Sequence, residues 1–269
     1  MSWPSWRAVA APMAELLVWP ALLGYSEAAF AYAGGLRGTG RYGRLGIWGV
    51  RIGWLAQTAL LAVQAATSDG FPWATWAGAL NLLCWLVVTG YLAWGSNPRY
   101  RLLGLGVMPV AAALLVLAWF GGGTGVHDVD GAGWTLDAHV GLMLAAFASF
   151  TVAAAVAALY LFEERRLKRR DARLLRLRLP PLEALDRLAA RVALVGLALL
   201  SAGIVVGLTR LEAGEIDVAM TVTVVLWALY ATALVLRREI GLQGRRLAWS
   251  LVVGFTLVGV VLPLTHFAS

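Results

Sequence analysis

Three histidines are the residues whose chemistry is most informative in this chain, because the sequence contains only three of them. His139 begins one long apolar segment and His266 ends another, while His127 lies in a polar stretch between segments. A neutral imidazole is a common axial ligand of haem iron, and two imidazoles can bind the iron from opposite faces. His139 and His266 are therefore a candidate pair of haem ligands.

Aromatic and basic residues near segment ends complete the candidate haem site. A porphyrin would lie against apolar and aromatic side chains, here Trp73, Trp76 and Trp134, and Arg210 is the candidate cation for its propionates. The cofactor predicted on this hypothesis is haem b. The alternative is that these are ordinary residues of a membrane interface, where tryptophan is common.

Other catalytic or metal-binding patterns are weak. His127 is followed by Asp128 and Asp130, but zinc needs three or four ligands at defined spacing, so a solvated loop histidine is the simpler interpretation. The sequence contains no Walker loop, GxSxG, HExxH or paired catalytic carboxylates. The sequence therefore does not establish an enzyme and favours a haem-handling or accessory protein.

Polar residues inside apolar segments offer a further set of hypotheses. Glu27 and Arg51 are predicted to form an ion pair, since an isolated charge within a membrane is costly. Glu15 has no obvious cation, and it would face a cavity if the protein were a small-molecule transporter. Three further polar residues indicate hydrogen bonds between helices or the lining of that cavity, namely Gln57, Gln64 and Asn81.

Composition places all of these residues in a membrane protein. Hydrophobic residues make up 60% of the chain, charged residues 14%, and mean hydropathy is +0.75, well outside the range of soluble domains. Long apolar runs without alternation exclude a β-barrel. The net charge of +7 is explained by loops between spans rather than by nucleic-acid binding. The single cysteine, Cys84, excludes a disulfide framework.

The apolar segments predict an all-α integral membrane protein, an eight-transmembrane-helix bundle forming one polytopic domain over residues 1–269. The predicted spans are 8–33, 45–67, 73–95, 101–120, 136–162, 189–209, 217–236 and 247–266.

Charge asymmetry predicts the orientation of the spans. All but two of the 22 lysines and arginines lie on one side, the exceptions being Arg7 and Arg210. The positive-inside rule then makes that side cytoplasmic and places both termini and all three histidines on the outer side of a multi-pass protein of the inner (cytoplasmic) membrane. The strongest basic segment is 163–188, which either sets topology alone or also binds anionic lipid or a cytoplasmic partner.

Several stretches together resemble the cytochrome c assembly membrane proteins, the CcsA/ResC/HemX-like family. The resemblance covers nearly the whole chain from about residue 45. It rests on FPWATWAGALNLLCW (71–85), WTLDAHVGLMLAAFASFTVAAAVAALYLFEERRLKRR (134–170), LPPLEALDRLAARVALVGLALLSAGIVVG (179–207), GLQGRRLAWSLVVGF (241–255) and THF (265–267). Gly78 stands where the family typically has glutamate.

The resemblance implies delivery of haem to apocytochrome c at the outer membrane face. Matched residue by residue, the two external haem-ligating histidines of the family fall on His139 and His266. The tryptophan-rich WWD motif before the seventh span is reduced to Asp217 and Trp227, and no histidine lies within a span. The chain therefore most resembles the HemX-like branch, which lacks a full WWD motif.

These observations leave two leading function classes. The first is a cytochrome c assembly-type protein that binds or presents haem at the outer face, with membrane lipid, apocytochrome c or another assembly subunit as partners. The second is a membrane scaffold or regulator that binds no haem and acts through segment 163–188 in tetrapyrrole synthesis or cytochrome maturation.

Overall fold

A computed structural model of the chain is built from α-helices. It describes residues 6–35, 41–68, 70–95, 103–126, 133–169, 181–209 and 218–267. Within these ranges the helices are α1 (Trp6–Gly35), α2 (Arg41–Thr67), α3 (Trp76–Gly90), α4 (Leu103–Phe120), α5 (Trp134–Lys168), α6 (Leu182–Leu208), α7 (Val218–Glu239) and α8 (Arg245–Phe267), and a π-helical turn at Tyr91–Gly95 extends α3.

The predicted all-helical membrane fold is confirmed at this level. The described part of the chain contains no strand, and six of its helices are long and apolar enough to cross a membrane. These six helices lie at Gly43–Thr67, Trp76–Trp94, Leu103–Phe120, Trp134–Lys168, Leu182–Leu208 and Met220–Glu239. The chain is a multi-pass membrane protein, while the count of eight spans and the side of each terminus stay predictions.

Helices α5 and α6 are longer than the apolar segments that predicted them. α5 continues through its first basic residues to Lys168, and α6 begins at Leu182, seven residues before the predicted span. Each extension carries an ion pair one helical turn apart, Lys168–Glu164 and Arg187–Glu183, both at 2.7 Å. Segment 163–188 is thus helical at both of its ends, and residues 170–180 lie outside the described residues.

The chain divides into two compact units, Met1–Val140 and Gly141–Ser269. In the first unit, α1 and α2 pack so closely that only glycine fits between their backbones. A Cβ on Gly24 would lie 2.6 Å from the Gly49 carbonyl oxygen and 2.9 Å from the Gly53 nitrogen. Small residues four apart allow such close approach within a membrane, where van der Waals contact drives helix association.

Tryptophan and threonine side chains join α2 to α3. Trp54 and Trp85 stack with ring centroids 6.0 Å apart. The Trp54 indole donates to Thr89 Oγ1 and the Trp85 indole donates to Thr58 Oγ1, each at 2.8 Å. These reciprocal bonds satisfy polar groups that hydrocarbon could not hydrate.

In the second unit, Tyr230 of α7 is buried against α5 and α8. Phe150 of α5 stacks on the Tyr230 ring with centroids 4.0 Å apart. On the α8 side, glycine at position 254 leaves space for the Tyr230 ring, because a Cβ there would lie 2.9 Å from a ring carbon. The Tyr230 hydroxyl donates to the Leu251 carbonyl oxygen at 3.1 Å, so the only polar atom of the side chain is bonded.

Candidate functional site

Two turns of the first unit meet at one end of α3, and we call this region, residues 70–75 and 121–126, the turn end. Thr75 begins α3 as its N-cap, with its hydroxyl oxygen accepting from the Gly78 N–H at 3.1 Å. A Cβ at position 78 would lie 2.6 Å from the Pro72 carbonyl oxygen and 3.0 Å from the Trp73 α-carbon. This crowding leaves room only for glycine at position 78.

Gly123 makes an even closer approach from the second turn. A Cβ there would lie 2.1 Å from the Ala77 carbonyl oxygen and 2.5 Å from the Gly78 nitrogen. The two turns and the first turn of α3 therefore pack backbone against backbone. No side chain larger than hydrogen fits at position 78 or 123 unless the backbone moves.

Three buried amide side chains hold the turn end in place. The Gln57 amide donates to Asn81 Oδ1 at 2.9 Å, and the Asn81 amide donates to Gln64 Oε1 at 3.1 Å. The Gln64 amide in turn donates to the carbonyl oxygens of Gly123 and Gly125, at 3.0 and 2.7 Å. We call Gln57, Gln64 and Asn81 the amide network.

The amide network confirms the prediction of hydrogen bonds between helices. Tyr25 of α1 donates its hydroxyl to Gln57 Oε1 at 2.7 Å, so the network reaches from α1 to the turn end. All three amides are buried and bonded to one another and to the backbone. A transporter would need them to line a cavity, and their geometry favours the structural role instead.

Two tryptophans proposed to flank haem lie at the turn end, in different surroundings. The Trp73 indole donates to Gln64 Oε1 at 3.1 Å and its ring packs edge-on against Phe71. Trp76, the first residue of α3, is exposed, and one edge of its ring lies where a Cβ on Gly121 would be. Trp73 is therefore a fixed part of the fold, while Trp76 presents an open aromatic surface.

His139 lies in the second turn of α5, five residues after Trp134. Its side chain is half-buried, whereas Trp134, the first residue of the helix, is 78% exposed. This end of α5 thus presents an imidazole and a large indole about one and a half turns apart along the helix.

The other residues of the predicted haem site are not described. His266 is the last residue but one of α8, which ends at Phe267, but its side chain lies outside the described residues. Arg210, His127 and Asp217 also fall outside them. The bis-histidine site stays a prediction, and among the described residues no group of three or more metal-ligating side chains is brought together.

Glu27 and Arg51 do not form the predicted ion pair. Both side chains are exposed, and neither takes part in an ion pair among the described residues. The Arg51 guanidinium instead lies over the Trp48 ring, 5.4 Å from its centroid. The prediction was wrong because sequence spacing gives the depth of a residue in the bilayer but not the face of the helix on which it lies.

Asp186 forms a second polar cluster, in the other unit. Its carboxylate lies 2.7 Å from an Arg237 guanidinium nitrogen at the end of α7 and accepts from the Gly244 N–H at 2.8 Å before α8. Gly244 has φ +67°, and a Cβ there would lie 2.8 Å from the Tyr160 hydroxyl. We call Asp186, Arg237 and Gly244 the clasp, since they join α6, α7 and the turn into α8.

The clasp brings together two of the motifs on which the resemblance rests. Asp186 comes from LPPLEALDR and Gly244 from GLQGRR, and they are hydrogen-bonded although far apart in sequence. Sequence reasoning noted both motifs and assigned neither a structural role. The sequence did offer one indication of this contact: one motif contains a carboxylate, Asp186, and the other contains a glycine turn at Gly244.

Trp227, considered a remnant of the WWD motif, lies inside α7 rather than in a loop. It is the tenth residue of the helix, and its indole donates to Ser201 Oγ of α6 at 2.8 Å. In this chain Trp227 therefore links two helices.

Comparison with known proteins gives two matches. A profile of the Cytochrome C assembly protein family matches residues 73–267. Protein HemX of Brevibacillus brevis is 31% identical over 158 residues, which cover 58% of this chain and 58% of that protein. The aligned part is thus less than two thirds of the relative's length. No solved structure matches the chain.

Proposed function

The chain belongs to the cytochrome c assembly protein family, and we propose that it binds or presents haem at the outer membrane face during cytochrome c biogenesis. The observation that carries this proposal is the family match itself, which begins at Trp73 and includes both His139 and His266. The family is linked to haem handling, and both of these histidines lie near helix ends. We place the protein in the inner membrane with its basic loops in the cytoplasm.

The described residues support a haem-presenting surface in two ways. Trp76 and Trp134 each begin a helix, and among the described residues their rings are left 53% and 78% exposed, so they offer flat apolar surface. The glycine-rich turn beside Trp76 carries no bulky side chain at Gly121, Gly122 or Gly123. A planar apolar ligand is recognised by such surfaces, and a neutral imidazole supplies the bond to its iron.

In this proposal each residue has a separate task. His139 and His266 would bind haem b iron from opposite faces, Trp76 and Trp134 would contact the porphyrin, and Arg210 would bind a propionate. Trp73 would act as a rigid neighbour, because Gln64 fixes its indole. Apocytochrome c or another assembly subunit would receive the haem.

The test is haem binding by purified single variants in mild detergent. We expect His139→Ala and His266→Ala each to abolish bound haem or convert it from low-spin to high-spin, since one axial ligand is lost. His127→Ala is the matched control and should leave the spectrum unchanged. Equal spectra for all three variants would contradict the assignment of ligands.

Exposed basic residues favour one alternative function, a scaffold or regulator that binds no haem. At the ends of α5 and α7 and the beginnings of α6 and α8, eight described basic side chains are exposed against two acidic ones, Glu183 and Glu239, while Glu163 and Asp186 are buried, so this surface carries net positive charge. The exposed basic residues are Arg165, Lys168, Arg169, Arg187, Arg191, Arg238, Arg245 and Arg246. If this function is the main one, the double variant Arg187→Gln, Arg191→Gln should impair cytochrome maturation or tetrapyrrole synthesis in cells. Neither His139→Ala nor His266→Ala should impair it.

A further inference from the structure

Two charged residues of the first unit face outward from helices that lie within the apolar part of the chain. Glu27 of α1 and Arg51 of α2 are both exposed, and Arg51 lies inside the candidate span Gly43–Thr67. Charged side chains within a membrane are rare and nearly always have a partner or face water. Among the described residues neither has a partner of opposite charge.

The close packing of α1 on α2 sets the relative depth of these two residues. The two helices run antiparallel, because Gly24 meets the turn Gly49–Gly53 while Tyr32, further along α1, meets Gly46. Arg51 is at the middle of the turn that Gly24 contacts. Glu27 is three residues beyond Gly24, about 4.5 Å along the helix axis. Glu27 and Arg51 therefore lie within one helical turn of the same depth.

Apolar side chains surround both charges on the exposed faces of α1 and α2. On α1 the spacing of seven places Leu23 and Phe30, 66% and 79% exposed, on the same side as Glu27. On α2 the exposed residues near Arg51 include Trp48, Ile52 and Leu55. We call these exposed residues together the outward face, namely Leu23, Glu27 and Phe30 of α1 and Trp48, Arg51, Ile52 and Leu55 of α2.

We propose that the outward face of α1 and α2 binds a second copy of this chain, with Glu27 of each copy paired to Arg51 of the other. Most homo-oligomers are dimers with a two-fold axis, in which the same patch of both copies meets. A two-fold axis along the membrane normal preserves depth, so residues that pair across it must lie at the same level. Glu27 and Arg51 meet this condition and carry opposite charges, and the symmetry forms the pair twice.

This interface does not depend on the haem proposal, and it assigns a role to two charges that have no partner of opposite charge among the described residues. The cation–π contact with Trp48 holds the Arg51 guanidinium at the helix surface, where a carboxylate of the second copy can reach it. Glu15 lies on the same helix with no cation of α2 near its level, which makes it a matched control.

The test uses two differently tagged copies of the full chain, expressed together and purified in mild detergent through one tag. We expect wild-type copies to co-purify and Glu27→Arg or Arg51→Glu, present in both copies, to reduce co-purification at least tenfold through like-charge repulsion. Co-expression of one Glu27→Arg copy with one Arg51→Glu copy should restore it. Glu15→Arg in both copies should leave it unchanged.

Rescue between two different copies distinguishes the interface from an ion pair within one chain. One outcome would show that the ion pair forms within one chain. In that case a chain carrying both Glu27→Arg and Arg51→Glu regains stability, while a Glu27→Arg copy and an Arg51→Glu copy do not associate, and the proposal is wrong. Wild-type chain that is monomeric, that captures another membrane protein instead of its second copy, or that associates equally well in every variant would also overturn it.

Cysteine cross-linking gives a second measurement if a charge-reversed variant fails to fold. A Glu27→Cys copy should form a disulfide with an Arg51→Cys copy in a Cys84→Ala background. A Glu15→Cys copy should not form this disulfide, because Glu15 lies about nine residues, or about 13 Å along the helix axis, from Gly24, which is at the level of Arg51. Equal cross-linking of both pairs would contradict the proposed register.

Discussion

A single carboxylate can organise the ends of three helices, and Asp186 is the clearest example in this chain. It lies in the first turns of α6, pairs with Arg237 at the end of α7 and accepts the Gly244 N–H that precedes α8. The Asp186 and Arg237 side chains are both largely buried. Loss of the Asp186 charge would therefore leave the Arg237 guanidinium without its counter-ion. At the residue scale, Asp186 is therefore a position whose substitution should destabilise the second unit.

Asp186→Asn tests the ionic part of the clasp. The amide oxygen can still accept from Gly244, but the charge opposite Arg237 is lost, so we expect the free energy of unfolding to fall by about 1–3 kcal/mol. Glu183→Gln, in the same turn of α6, breaks an exposed pair and should cost less than about 0.5 kcal/mol. Unfolding in graded denaturant measures both, and equal costs would show that the clasp contributes nothing beyond a surface pair.

At the scale of elements, glycines decide how closely the helices and turns approach. Gly24 sets the crossing of α1 and α2, Gly78 admits the turn before α3, and Gly123 lets the second turn rest on α3. The amide network then fixes what the glycines allow, because Gln64 binds the carbonyl oxygens of Gly123 and Gly125. The position of Trp73 follows from this arrangement.

Substitution of these glycines by alanine should be costly only where the backbone is crowded. Gly78→Ala and Gly123→Ala introduce a methyl group within 2.6 and 2.1 Å of a carbonyl oxygen, and we expect each to lower the unfolding free energy by about 1–3 kcal/mol or more. Gly106→Ala in α4 meets nothing within 4 Å and should be neutral or stabilising by up to about 1 kcal/mol. Thermal unfolding in detergent compares the three, and a neutral Gly123→Ala would contradict the described turn end.

Sequence predicted the elements well and their faces poorly. Apolar length located the helices because a bilayer requires about 20 apolar residues, and the polar positions Gln57, Gln64 and Asn81 gave the correct expectation of hydrogen bonds between helices. The Glu27–Arg51 pair failed because depth alone does not specify orientation about the helix axis. The clasp was missed because its partners are distant in sequence.

The candidate haem site was predicted from the positions of the histidines and from the motif resemblance. Of its residues, the structure describes His139, Trp73, Trp76 and Trp134. His139, Trp76 and Trp134 lie at helix ends, as apolar length and the motifs predicted. No sequence pattern indicated that Trp73 would be bonded to Gln64, because that contact depends on the packing of two turns.

For the whole molecule, the distribution of charge predicts which ends of the helices face the cytoplasm. On the predicted eight-span topology all but two of the 22 lysines and arginines lie on one side, so we expect both termini and all three histidines on the other. A reporter active only in the cytoplasm, fused after Ser269, should give no signal, while one active only outside should report. The opposite pattern would move the histidines inside and remove the proposed outer site.

The most direct test of the haem proposal is the absorption spectrum of the full chain purified in mild detergent from cells that make haem. We expect a Soret band with the features of low-spin iron, because two imidazoles would occupy both axial positions. A folded, monodisperse protein that carries no haem and acquires none when haem is added would contradict the account.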